Sequence, residues 1–315
     1  MIQYYKKEGK TLKQLEVIET NCWINIAAPF SKEELEELSG KLDIPLDFLI
    51  DSLDIDERSR YETEDGVRLI VLNTPILNPL GEENVSVYIT IPIGIILTLD
   101  HIITITSFEN HVLQKFLDNK IKHFDPSNKE QFALQIFEQN VYHFLSCLKE
   151  VNSKRNLIEK ELYDSSKNKE LRQLLNLEKS LVYFVTSLSS NELLMMKMKR
   201  TDYLKIRDNE ELLDLLDDVI IDNSQAQEMA NIYSSILGGT MNAFASIISN
   251  NLSMVIQRLT LITIILMVPT LVASFFGMNV KHHMEESNSA FYYIVITSII
   301  LSLVVAWVFR RQKLL

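Results

Sequence analysis

From Leu259 to Phe276 the sequence runs for 18 residues without a charge, and it closes on Gly277-Met278-Asn279. At ~1.5 Å per residue, a helix of that length covers about the ~30 Å of a bilayer core. The run is not uniformly apolar. Thr260, Thr263, Met267, Thr270 and Ser274 recur every three or four residues and so share one helix face. The same row continues back through Gln257, Ser253, Ser249, Ser246 and Asn242. Lipid offers hydroxyls no partner, so the stripe is expected to face protein or water. A helix–helix contact face is the plain reading; one wall of a pore is the sharper one. The long continuation of the stripe ahead of the apolar run favours the pore.

A second apolar run, Phe291–Phe309, has 19 residues, and the 11 residues Val280–Ala290 join the two into an antiparallel hairpin. Arg258 precedes the first run, and Arg310, Arg311 and Lys313 follow the second. The short loop offers only Lys281 against Glu285 and Glu286. Basic residues stay on the cytoplasmic side, so both termini are expected inside a cell membrane and the loop outside.

The 315 residues suffice for a sizeable soluble domain ahead of the membrane runs. A net charge of -11 argues against a nucleic-acid partner, which calls for a basic surface. Cys22 and Cys147 lie far apart and outside any metal-ligand spacing, which reads as two reduced cytosolic thiols. The N-terminal MIQYYKKEGK has no signal-peptide core. No Walker loop, G-x-G-x-x-G, H-E-x-x-H or G-x-S-x-G pattern occurs, so neither an organic cofactor nor an enzyme is expected.

Residues 1–125 read as an α/β domain. Trp23–Ile26 suggests a strand, and Ser31 with Glu34 matches a capping box opening a short helix. Another short helix is expected within Leu42–Asp54. Val67–Asn73, Val85–Ile91, Ile93–Leu99 and His101–Ser107 carry β signals, with Gly94 read as a break. Between Pro126 and Pro269 there is no proline, and between Gly94 and Gly238 no glycine, so long helices are expected. They divide into a helical hairpin at 126–205 (helices near Lys129–Ser165 and Asn168–Met198) and a stalk helix at 206–258. The stalk continues into transmembrane helix 1 at 259–279; loop 280–290, transmembrane helix 2 at 291–309 and a basic tail at 310–315 complete the chain. Gly238-Gly239 in the stalk reads either as a close-packing notch or as a bend point.

Two closing membrane runs, Gly-Met-Asn ending the first, a long preceding helix, an α/β front end and a basic tail together resemble the CorA family of divalent-metal channels (the two-transmembrane GxN group). Trp23-Ile24-Asn25, Pro29–Leu35 and Arg58-Ser59-Arg60-Tyr61-Glu62 resemble the family more loosely. The likeness spans essentially the whole chain. It implies a funnel-shaped homopentamer of α/β domains and long helices, in which five first helices line a pore. It also implies passive transport of Mg²⁺, with Co²⁺ and Ni²⁺ accepted by many members and Zn²⁺ by one branch.

Carried onto this sequence, the resemblance makes Gly277, Met278 and Asn279 the selectivity filter. Asn279 would hold the hydrated ion through its water shell, because Mg²⁺ sheds water reluctantly. An ordinary helix C-cap is the plain alternative for Asn279; Gly277 is read as supplying backbone freedom at the helix end. Thr270, Met267, Leu259, Ile256 and Asn242 fall on or beside the conduction path, the apolar ones as a dewetting gate. For Ile256 plain packing is an equal reading. Asn242 stands where many members carry a carboxylate ring.

The family's regulatory contact implies that Asp218 faces Asp51 of a neighbouring subunit, with cytosolic Mg²⁺ bridging them and holding the channel closed. Asp208–Asp222 holds seven acids and no base, and Asp47–Asp65 holds eight acids against Arg58 and Arg60; most such runs are solvated faces. Glu285 and Glu286 are candidates for attracting cations at the outer mouth. The Met-Pro-Glu-Leu common in the family is absent from this loop. His282-His283 is read as a solvent-exposed pair, although its chemistry suits a softer metal. Arg310, Arg311 and Lys313 match the family's basic inner ring. The rival readings are a zinc transporter on the same scaffold and a membrane-anchored scaffold or sensor without flux.

Overall fold

The computed structural model describes residues 1–9, 11–79, 85–165, 168–278 and 289–312. It divides into two compact units, Met1–Met241 and Asn242–Leu315.

The first unit is built on a seven-stranded sheet. Its strands are β1 (Ile2–Glu8), β2 (Thr11–Leu15), β3 (Trp23–Ala27), β4 (Arg60–Glu64), β5 (Val67–Leu77), β6 (Tyr88–Leu97) and β7 (Ile102–Thr106), in the order β2-β1-β3-β7-β6-β5-β4. Only β3 and β7 run parallel, so the sheet is mixed. Helices α1 (Lys32–Leu42) and α2 (Leu46–Asp51) cover one face, where Leu35, Leu38, Phe48 and Leu49 pack on Ile24, Val71 and Ile103. The other face carries α3 (His111–Leu117), α4 (Lys129–Ser165), α5 (Asn168–Thr201) and the start of α6 (Glu210–Phe276). Trp23 anchors this second core: its Nε1–H donates to Thr104 Oγ1 at 2.8 Å and its ring meets Phe132 edge-on at 5.1 Å.

Local chemistry explains most of the boundaries. Ser31 and Glu34 form the expected capping box, with reciprocal bonds of 3.2 and 3.0 Å. Asp65 and Gly66 both have positive φ, 48° and 82°, the turn geometry that lets β4 fold back on β5. Strands β1 and β2 form a hairpin outside the expected elements, because neither IQYYKKE nor TLKQL alternates apolar and polar residues as a half-buried strand would. And β6 is one strand through Pro92 and Gly94, not two. Gly94 is no breaker: a Cβ there would collide with the Ser52 side chain just past α2, so glycine is what allows α2 to lie on the sheet. The helix expected within Leu42–Asp54 is confined to α2, because Asp43 turns left-handed (φ 54°) and Pro45 precedes it.

The second unit holds the remainder of α6 and α7 (Ala290–Arg311). α6 stays helical through Gly238-Gly239, where an added Cβ would meet nothing within the chain, so no notch is closed at that point by the chain itself. Pro269 lies inside α6 and deprives the carbonyl of Ile265 of its helical donor.

Candidate functional site

Both apolar helices are long and apolar enough to cross a bilayer, and only 6% of each apolar window is buried. Among the described residues of the second unit, just Phe244, Leu261 and Ser298 are buried. Asn242, Ile256, Leu259, Met267 and Thr270 are all exposed. The stripe thus presents itself outward from a single chain.

Most hydroxyls of the stripe find a partner within their own helix. Ser246, Ser253, Thr260, Thr263 and Thr270 each donate to the carbonyl four residues earlier, at 3.0, 2.9, 2.9, 2.8 and 3.4 Å. Their donors are satisfied by the helix itself, so lipid would not strand them. Beside them along the row stand the exposed amides of Asn242 and Gln257 and the exposed hydroxyls of Ser249 and Ser274.

At its C-terminal end α6 stops at Phe276, and the Gly277 N–H closes on Ala273 O at 2.9 Å. Gly277 has no left-handed φ, which overturns the reading from backbone freedom. An added Cβ would stand 3.2 Å from Ala273 O and 3.7 Å from Ser274 O, both in the preceding turn of the same helix. Met278 is exposed. Asn279, His282, His283, Glu285, Glu286 and Lys313 lie outside the described residues. Arg310 and Arg311 occupy the last turn of α7, where cations complement the helix dipole. The Arg311 guanidinium sits 5.4 Å from the Trp307 ring centre. Phe291, Tyr292 and Tyr293 at one end of α7 and Trp307 near the other form a pair of aromatic belts suited to the two bilayer interfaces. Those belts are readable in the sequence once aromatic position, not hydropathy alone, is followed.

The proposed regulatory acids sit in the first unit. Asp218 is exposed on α6, and its neighbour Asp217 is held by Lys199 Nζ at 2.5 and 2.7 Å. Asp51 ends α2, and its Oδ2 accepts from Arg60 Nη2 at 2.8 Å. Burial raises the Asp51 carboxyl above its usual range, Arg60 opposes that, and Glu57, Asp47 and Glu62 add to it. Among the described residues, no group of three or more His, Cys, Asp or Glu could hold a metal ion. Arg60 is the residue here whose part the sequence reading missed. Its Nε also donates to Glu57 Oε1 at 2.6 Å, and its Nη1 pairs with Glu62.

The profile of the family described as CorA-like Mg²⁺ transporter protein matches residues 19–311. The cobalt/magnesium transport protein CorA of Methanocaldococcus jannaschii is 25% identical over 295 residues, spanning 92% of this chain and 90% of its own. The complete structure of the CorA magnesium transporter from that organism superposes with a TM-score of 0.83 at 22% identity, over 99% of this chain and 98% of its own. The ZntB cytoplasmic domain of Vibrio parahaemolyticus shares the fold at 13% identity and a TM-score of 0.58, over 80% of this chain and 97% of its own. The α/β unit, the long α6, the two apolar helices and a profile match from residue 19 to 311 agree, and the chain belongs to the CorA-like Mg²⁺ transporter family, whose members are membrane transporters and not enzymes.

Proposed function

We propose that this chain is a passive channel for Mg²⁺, with Co²⁺ and Ni²⁺ as further cargo, working as a homopentamer with both termini in the cytoplasm. The observation that carries this reading is the outward-facing seam of α6, which leads to Gly277-Met278-Asn279 in a chain matched to the family along nearly its whole length. Residues 259–279 and 291–309 are the two spans of each subunit. Residues 206–258 form the stalk, 126–205 the helical hairpin and 1–125 the α/β domain. Loop 280–290 lies outside and 310–315 at the inner mouth.

Five copies of the seam enclose the path. Thr270 and Asn242 offer oxygen to a hydrated ion, and Met267, Leu259 and Ile256 narrow the path with apolar walls that gate by shedding water. A ring of Asn279 amides binds the hydrated ion through its shell without the grip of a carboxylate ring, so the ion leaves as readily as it enters. Glu285 and Glu286 gather cations outside; Arg310, Arg311 and Lys313 ring the inner mouth. The membrane potential supplies the drive, ~2.3 kcal/mol per charge per 100 mV and about double that for a divalent ion. Cytosolic Mg²⁺ between Asp218 and a neighbour's Asp51 screens their repulsion and holds the closed state.

Flux into liposomes tests the reading. Intact protein is expected to admit Mg²⁺ without a proton gradient, and Asn279→Ala is expected to lose selectivity or flux. Zn²⁺ uptake that depends on a proton gradient would establish the zinc transporter instead. Absence of flux for every cation would leave a membrane-anchored scaffold.

A further inference from the structure

Arg60 opens β4 and is engaged on all three guanidinium nitrogens by three different carboxylates. Asp51 comes from the end of α2, Glu57 from the connection after it, and Glu62 from β4 itself. Three negative charges meet one positive charge that no physiological pH removes. The bond to Asp51 uses Oδ2 alone; Oδ1 accepts no hydrogen bond among the described residues. Asp51 therefore has one oxygen committed to the guanidinium and one open. Its side chain keeps 43% exposure, so a hydrated cation has access.

We infer that Arg60 is a tethered competitor for the cation bound at Asp51, and that it sets the Mg²⁺ concentration at which the channel closes. The inference rests on the proposed Asp51–Asp218 contact. A divalent ion arriving at Asp51 meets a carboxylate already half neutralised, and it feels the repulsion of the guanidinium. Binding is weakened, so the site fills only when the cation is plentiful. Glu57 and Glu62 tune the effect by sharing the guanidinium's charge with Asp51. A merely structural Arg60 would tie α2 to β4 and leave that concentration alone.

The test is inhibition of flux through the full chain in liposomes, titrating Mg²⁺ on the cytoplasmic face. Arg60→Gln is expected to lower the half-inhibiting concentration about fivefold, the size of one part-exposed ion pair. Arg60→Lys keeps the charge and is expected to stay within about twofold of the native value. Glu62→Gln leaves more of the guanidinium's charge uncompensated beside Asp51 and is expected to shift the value the other way, upward; Glu62 is well exposed, so this variant also guards against misfolding of the first. An unchanged or raised value in Arg60→Gln, or a lowered one in Glu62→Gln, overturns the inference. Asp218→Lys separates the two levels. If it abolishes inhibition while Arg60→Gln shifts nothing, the acidic pair stands and the competitor role falls. If it leaves inhibition intact, the acidic pair falls and the inference with it.

Discussion

The two units of this chain use the same apolar residue types in opposite ways. In Met1–Met241, Trp23, Phe116, Phe132 and Ile93 are fully buried between a sheet and its helices. In Asn242–Leu315, Leu266, Leu271, Phe291 and Leu303 are each more than half exposed. A water-soluble surface that greasy would aggregate. The difference teaches that the units answer to different solvents. The first hides its hydrocarbon from water; the second presents it to lipid, where burial inside the chain gains little. Polar groups follow the same division. Asn191 in the first unit bonds the chain distantly, to the backbone of Asn73, whereas the hydroxyls of α6 bond only four residues back along their own helix.

Removing hydrocarbon where it is buried should have the largest effect. Phe132→Ala is expected to destabilise the first unit by about 3–5 kcal/mol. Leu271→Ala in α6 should leave the melting of that unit unchanged in detergent. Equal losses would erase the distinction between the units. Next comes a charge on the lipid-facing side. Leu303→Lys in α7 is expected to oppose membrane insertion by about 2.5–3.5 kcal/mol. Insertion measured in microsomes as efficient as for the native chain would show that this stretch meets water. The smallest effect sharpens the account of the first unit. Burial, with His111 and Lys115 adding to it, pushes His143 down to about 4. The unfolded chain then takes up that proton first, so stability is full above the ordinary histidine value near 6.5 and declines as pH falls from there to about 4. At pH 5 this group should remove about 2 kcal/mol relative to pH 7.5. Melting of His143→Gln should lose that part of the acid sensitivity; an unaltered pH profile would place the titration elsewhere.

How far the chain could be read in advance depended on the range of the cause. The helices α4 and α5 were legible because a long stretch without proline or glycine leaves little but helix, and that is a local property. The helix start at Ser31 was legible because both halves of its capping box lie within four residues. The single strand β6 was not, since Pro92 and Gly94 look like breakers until Ser52 is placed against the strand. In the candidate site, the Gly-Met-Asn end of the first span stood out by position alone. The guanidinium of Arg60 did not, because nothing in the string pairs residue 60 with residue 51.

The sequence by itself determined where hydrocarbon is continuous enough to leave water, and where the long helices run, for both follow from the order of neighbouring side chains. The tertiary structure decided why Gly94 has to be glycine, which carboxylates hold Arg60, and how Trp23 finds Thr104 across the sheet. Those outcomes depend on atoms brought together from distant parts of the chain, and the geometry of that meeting is set by the packing of the whole unit.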